Sequence, residues 1–379
     1  MANVFINALQ LSIGGGKNIL DNYIERLYEN KLYHNYYILT PSYDDYKKYS
    51  KEKLIIIEIK DIFKINISLI FLYFYKYQRI INKYKIDLVF NFGDIIIPTK
   101  VAQIYFFDWP YAVYSAKNIW KGMSFKNLLT RKIKLFLVKR YINIVELTLC
   151  QTDNIYQRLK IQYKLKKLKI IPTPLSLSFT NINSNIEFNF PTGKKIFMYP
   201  SSFSSHKNFE IIISLGKLIM SQKLPFLIVV TIDEVKAKNY LSIIKNQNID
   251  CIYNTGKLSL NEISALYKKS DALLFPSFLE TYGLPYLEAM FFEKPILTSN
   301  LDFAKAICGD LPFYFNPNNA ESILFEMIHF TEDKSKLKEK LEKGKDRIKA
   351  LPDWDAVFFE FEQQIKLILK ENISQPNEK

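Results

Sequence analysis

The chain has 379 residues, 48% hydrophobic and 24% charged, a globular balance that excludes wholesale disorder and suggests two or three domains. Its formal net charge is +14, but residues 1–180 carry +15 and residues 181–379 carry −1, so the basicity belongs to the first half. Three cysteines, no C-x-x-C pair and three scattered histidines exclude a disulfide framework and argue against a zinc site.

The first half alternates strand-like and helix-like segments. Strands are expected at residues 4–7, 36–40, 54–59, 88–91, 104–107 and 145–151. Helices are expected at about 17–30, 68–84 and 124–141, and after Asp153. Residues 172–194 are rich in Pro, Ser and Asn and read as an interdomain linker. The alternation then restarts, with strands at 196–199, 226–231, 251–254, 272–276, 296–299 and 313–315. Helices begin near Lys207, Lys236, Asn261, Pro285, Phe303 and Ala320, and two more close the chain at about 334–350 and 353–371. Strands separated by helix-length segments predict an α/β protein of two doubly wound Rossmann-like domains facing a cleft. The expected division is 1–180, 181–352, and a last helix at 353–379 crossing back to the first domain. Ligands in such folds sit beyond the carboxyl ends of the strands.

The stretch 276–290, PSFLETYGLPYLEAM, is the most informative. A buried strand ends at a loop holding Glu280, and a helix starts at about Pro285, a residue suited to a first helical turn. The amides of Tyr282, Gly283 and Leu284 then face outward at the positive end of the helix dipole, a ready phosphate site. Gly283 lets the backbone approach an anion closely. Glu280 and Glu288 flank this turn, spaced to reach two ends of one long ligand.

With seven residues between its glutamates, this stretch resembles the E-x7-E signature of retaining glycosyltransferases of the GT-B fold, family GT4. The resemblance covers roughly 195–320, including TGKLSLNEISALYKKSDALLFPS before the signature and EKPILTSNLDFAKAICGDLPFYFNP after it. It implies that Glu288 hydrogen-bonds the ribose of a nucleotide, Glu280 contacts the donor sugar, and the amides at Tyr282, Gly283 and Leu284 hold the diphosphate. Residues 199–210, YPSSFSSHKNFE, resemble the family's pyrophosphate-binding segment. Lys207 matches its lysine, Ser202 stands where its arginine would be, and His206 is next to the lysine. Gly256, with Leu258, implies a turn near the nucleotide base. The first half is similar only in outline, as expected of an acceptor-binding domain.

Two features of the first half remain open. Residues 12–17, SIGGGK, follow the first strand, but fit neither the P-loop nor the G-x-G-x-x-G spacing. They are either a flexible loop or, as the family implies, a glycine-rich loop whose Gly15 and Gly16 face the donor phosphates. Asp108 follows a strand in FFDWPYAVYS, where many relatives carry a histidine that contacts the donor sugar. It is either a polar replacement or a residue behind the site. Asp353-Trp354-Asp355 spells a D-x-D, but its place at the start of the last helix reads as an N-cap.

Residues 117–141 hold eight basic and no acidic side chains. Trp120, Phe125, Leu128, Leu129, Ile133, Phe136 and Leu137 make an apolar stripe at helical spacing. This helix either docks on an anionic membrane or packs on its own domain with its lysines in water. No nucleic-acid-binding motif is present. The N-terminus has no basic segment followed by an apolar one, and no apolar run approaches the ~18–20 residues of a membrane span. The expected location is cytoplasmic, or peripheral on the inner face of the cell membrane.

The expected function is transfer of a sugar from a nucleoside diphosphate sugar to a hydroxyl of a saccharide or lipid-linked saccharide acceptor, in surface polysaccharide synthesis. No cofactor or metal is expected. The rivals are a sugar-nucleotide hydrolase or epimerase, and a non-catalytic nucleotide-sugar or polyanion binding protein on the same fold.

Overall fold

The computed structural model describes all residues except 12–13, 59–71, 116, 121–122, 177–178, 180–185 and 375–379. Parts of the expected helix over 68–84, of the glycine-rich loop and of the linker lie outside the described residues. The chain divides into two compact units. The first comprises Met1–Ser115, Ser124–Pro174 and Pro352–Lys379; the second comprises Ala116–Met123 and Leu175–Leu351.

The first unit is built on seven strands, β1 (Asn3–Asn7), β2 (Asn35–Leu39), β3 (Leu54–Ile57), β4 (Leu88–Gly93), β5 (Ala102–Phe107), β6 (Leu147–Cys150) and β7 (Leu168–Ile170). All neighbours pair in parallel, in the order β3-β2-β1-β4-β5-β6-β7. The central strands β4 and β5 are buried at every position, as a parallel sheet covered on both faces requires. Helices α1 (Gly14–Glu29), α2 (Tyr77–Lys83), α3 (Phe125–Tyr141) and α4 (Asp153–Tyr163) connect them. Helix α1 starts at Gly14, three residues before the expected Lys17. Helix α3 starts after its N-cap Ser124, whose side chain accepts from the Asn127 amide. The expected continuous pattern over 117–141 is broken: Trp120 ends a separate 3₁₀ turn, Lys117–Trp120, within the second unit. Trp120 therefore does not extend the apolar stripe of α3. Strand β7 was not anticipated. It is three half-buried residues preceded by Lys166 and Lys167, too short to show an alternation.

The second unit carries β8 (Lys195–Tyr199), β9 (Phe226–Val230), β10 (Ile252–Asn254), β11 (Ala272–Phe275), β12 (Ile296–Ser299) and β13 (Phe313–Phe315), again all parallel, in the order β10-β9-β8-β11-β12-β13. Its helices are α5 (Phe209–Ser221), α6 (Lys238–Asn246), α7 (Leu260–Lys269), α8 (Leu284–Phe291), α9 (Asp302–Cys308), α10 (Ala320–His329) and α11 (Lys334–Lys349). Helix α7 opens on a capping box, Ser259 with Glu262, which satisfies two amide donors at once.

The last helix, α12 (Trp354–Ser374), belongs to the first unit. Asp353 caps it, accepting from the Ala356 amide at 2.7 Å, so the D-x-D is a helix start. Phe361 of α12 packs edge-on against Tyr23, Phe90 and Phe106. Glu362 accepts hydrogen bonds from the hydroxyls of Tyr23, at 2.8 Å, and Tyr36. Burial holds the Glu362 carboxyl above its ordinary range.

Both sheets are doubly wound, and each has a topological switch point where successive connections run to opposite sides. It lies between β1 and β4 in the first unit and between β8 and β11 in the second. Most of the functional candidates gather at these two places; Gly256 and Leu258 instead follow the edge strand β10.

Candidate active site

In the second unit, the chain leaving β11 and the chain leaving β8 meet at the switch point. The segment after β8 does not enter a helix at Lys207, as its pattern suggests. It makes a 3₁₀ turn, Ser205–Lys207, and α5 begins only at Phe209, after Asn208 at φ 56°. Asn tolerates that left-handed conformation better than most residues. Its side-chain amide donates to the Pro276 and Pro317 carbonyls at 3.1 and 2.8 Å. The Phe278 amide donates to the His206 carbonyl at 2.8 Å. These bonds stitch the Lys207 turn onto the Glu280 loop.

The result is an ion pair. Lys207 Nζ lies 2.5 Å from Glu280 Oε1, and the two side chains are only 13% and 12% exposed. The ammonium also lies over the Phe275 ring, 5.1 Å from its centroid. Two residues 73 positions apart, singled out separately in the sequence, are thus in contact. His206 is half-buried beside them, its ring nitrogen 3.2 Å from Ser204 Oγ. Ser202, at the expected arginine position, is exposed.

Beyond Glu280, Gly283 at φ 78° is the N-cap of α8, and the helix starts at Leu284 rather than Pro285. A Cβ on Gly283 would stand 2.8 Å from the Tyr286 ring, so both the backbone and the space demand glycine. The Gly283 and Leu284 amides donate to no acceptor among the described residues. Tyr282 is buried. Just over one turn into α8, Glu288 is only 8% exposed, and the Tyr267 hydroxyl donates to its Oε2 at 2.9 Å. Burial pushes the Glu288 carboxyl up to about 7, against a smaller opposing effect of that hydrogen bond. Tyr267, in α7, was not singled out from the sequence. Its only signal was a tyrosine on the buried face of the preceding helix. Gly256, at φ 76° with open space around it, and the half-buried Leu258 lie on the loop after β10.

The first unit has its own hollow at its switch point, about 450 Å³, bordered by Gln10, Leu11, Gly16, Gly93, Asp94, Asp108, Trp109 and one face of α3. Gly16 is buried in the first turn of α1. A Cβ there would meet Asp108 Oδ2 at 2.9 Å, so the Asp108 carboxylate lies against the positive end of α1. Gly15, one residue earlier in the same turn, is half-buried.

Helix α3 presents Asn127, Thr130, Arg131 and Lys134 to this hollow, spaced i, i+3, i+4 and i+7. Lys134 Nζ pairs with Asp94 Oδ2 at 2.5 Å and donates to Gln10 Oε1 at 3.3 Å. Arg131 stacks on the Tyr111 ring at 4.2 Å. These two basic residues therefore face inward and are not part of an outward basic surface. The opposite face of α3 carries Phe125, Leu129 and Phe136, exposed by 81%, 45% and 66%, flanked by exposed Lys126, Lys132, Lys139 and Arg140. Asp94 was missed in the sequence, although it directly follows a strand ending in glycine. Lys121 lies outside the described residues. Among the described residues no helix is long and apolar enough to cross a membrane.

Residues 182–347 match the family described as glycosyl transferases group 1. The alpha-monoglucosyldiacylglycerol synthase of Streptococcus pneumoniae is 23% identical over 295 residues, 71% of this chain and 65% of that relative. The O-antigen chain mannosyltransferase RfbU of Salmonella typhimurium is 23% identical over 148 residues, 39% of this chain and 42% of that relative. The chain thus spans less than two thirds of the length of these curated relatives. The sucrose-phosphate synthase of Thermosynechococcus elongatus superposes with a TM-score of 0.74 at 14% identity, covering 98% of this chain and 100% of that one, a likeness of fold. The two parallel doubly wound sheets thus share their fold with that synthase, and the segment that contains Lys207, Glu280 and Glu288 lies within the stretch that matches the glycosyl transferases group 1.

Proposed function

We propose that this chain is a retaining glycosyltransferase that moves a sugar from a nucleoside diphosphate sugar to a hydroxyl of a saccharide or lipid-linked saccharide, in the synthesis of a surface polysaccharide. The observation that carries this reading is the meeting of Lys207 and Glu280 beside the open amides of Gly283 and Leu284. A cation and preorganised amides suit a departing diphosphate, and their stabilisation of developing charge is the main catalytic need. In this reading Glu288 accepts from the ribose hydroxyls, and Glu280 orients the sugar. The bond between the anomeric carbon and the diphosphate oxygen breaks. The acceptor oxygen bonds to that carbon from the same face, and its proton passes to the departing phosphate oxygen. The hollow of the first unit, with Asp108 and Trp109 on its rim, is the acceptor's place.

The test is a panel of nucleoside diphosphate sugars, each assayed for diphosphate release with and without saccharide and lipid-linked acceptors. One donor should respond, and more strongly with acceptor present. Uniform inactivity, together with nucleotide binding, would favour the non-catalytic binding reading.

The same proposal places α3 on an anionic bilayer of the inner membrane face. Three exposed large apolar side chains lie in line, and four basic residues flank them. Each basic residue near such a surface contributes on the order of 1 kcal/mol, and the attraction fades within a Debye length. Replacing Phe125, Leu129 and Phe136 with Ser should release the protein from phosphatidylglycerol vesicles. So should high salt. Transfer to a soluble acceptor should persist. Co-sedimentation indifferent to lipid charge would sink this part.

A further inference from the structure

The Lys207–Glu280 pair has a consequence for what the site prefers to bind. The reading above gives the two residues to different parts of the donor, the diphosphate and the sugar. In the ligand-free protein they satisfy each other. The ammonium meets Glu280 on one side and the Phe275 ring on another, so an incoming diphosphate competes with Glu280 for the same cation. We infer that this pair makes the site discriminate the sugar-bearing donor from the free nucleoside diphosphate product, with Glu280 as the specificity-determining residue.

The physics is a difference in what happens to Glu280. Free diphosphate draws Lys207 away and leaves a carboxylate that is 12% exposed without its counter-ion. Such an uncompensated charge is costly. The donor also takes Lys207, but its sugar hydroxyls then donate to Glu280 and restore its hydrogen bonds. The product therefore meets a penalty that the substrate does not, and after transfer the re-forming pair helps expel the diphosphate. No other described cation is paired with Glu280.

The inference rests on the proposed donor site, and its test separates the two. Binding of UDP, GDP, inorganic pyrophosphate and the matching sugar donors is measured by calorimetry on the full chain. For the nucleoside diphosphate that binds, Glu280→Gln should raise affinity about tenfold, the size of one charge-assisted hydrogen bond no longer lost. Affinity for the sugar donor should not rise, so the preference for donor over product collapses. Pyrophosphate should share the gain, because it lacks ribose and base. The gain should vanish in Lys207→Met/Glu280→Gln, where no cation is left to release. Glu280→Asp, which keeps the charge but shortens the reach, should gain less, and it serves if the Gln variant does not fold. Equal or weaker diphosphate binding by the Glu280 variants, with the wild-type chain binding, would overturn the inference and leave the donor site standing. If wild type binds none of these probes, the donor reading falls and takes this inference with it.

Discussion

The two switch points solve one problem with the same chemical device and differ in how it is anchored. Each holds a lysine against a carboxylate at 2.5 Å, with both side chains 12–14% exposed. In the second unit both partners stand on loops that leave the two sheet strands flanking the crevice, β8 and β11. In the first unit Asp94 follows β4, but Lys134 comes from the inward face of helix α3. A pair held between two strand-end loops can part without disturbing a packed element. A pair that ties a helix to a strand end cannot part without loosening the helix. The comparison suggests an exchangeable pair in one unit and a fixed one in the other.

The largest expected effect is in the second unit. Lys207→Met should lower the transfer rate about 10²–10³-fold, the usual loss when a preorganised charge stabiliser is removed, read as initial rates at saturating donor. A loss below tenfold would make this pair as structural as the other. Next, Asp94→Ala should cost about 1–3 kcal/mol of stability, less than a fully buried pair because both groups reach solvent. Thermal unfolding followed by circular dichroism checks it. Asp94→Ala should also raise acceptor KM; Lys134→Met with Asp94→Leu should recover most of the lost stability while acceptor KM stays raised and donor hydrolysis is unaffected. Full recovery of acceptor KM would remove the hollow from substrate binding.

The smallest effect concerns pH. Glu288 has its folded-state carboxyl raised to about 7 by burial. Its contribution to stability is therefore complete below the ordinary carboxylate range, near 4.3, and is lost as pH rises through about 7. In the proposed donor site the ribose hydroxyls donate to the ionised form of Glu288, so nucleotide binding near neutral pH should release protons. Calorimetry in two buffers of different ionisation enthalpy should show this. Glu288→Gln should bind nucleotide more weakly, release no proton and flatten the stability profile between about 4.3 and 7. An unchanged proton balance in that variant would assign the ionisation elsewhere.

The legibility of the sequence follows the same division. Glu280, Gly283 and Glu288 lie within nine positions, and their strand, turn and helix are set by local chemistry, so the motif is visible as a unit. Lys207 was visible through its own short segment. Its contact with Glu280 depends on β8 and β11 being sheet neighbours, which the alternation of elements does not specify. Tyr267 and Asp94 are ordinary residue types that gain meaning only from the carboxylate or lysine beside them. The lysines of α3 carried a signal of charge but not of direction. Only the packed helix separates Arg131 and Lys134, facing the hollow, from Lys126 and Lys132, facing outward. The doubly wound class was legible throughout, because burial imposes an apolar run on every central strand. Strand β7 and the 3₁₀ turn at Lys207 were not, because both are three residues long.

The seat of α12 also bears on the order in which the protein matures during translation. The first unit is completed by residues from the far end of the chain: Phe361 closes its aromatic cluster and Glu362 takes the hydroxyls of Tyr23 and Tyr36. A ribosome delivers Tyr23 more than three hundred residues before its partner. The second unit draws almost all its residues from one unbroken stretch, 175–351. It can reach its native state while the first unit still waits, its Tyr23 and Phe90 surface uncovered and open to chaperones or to aggregation. Of the two halves, the one synthesised first is the one that finishes last.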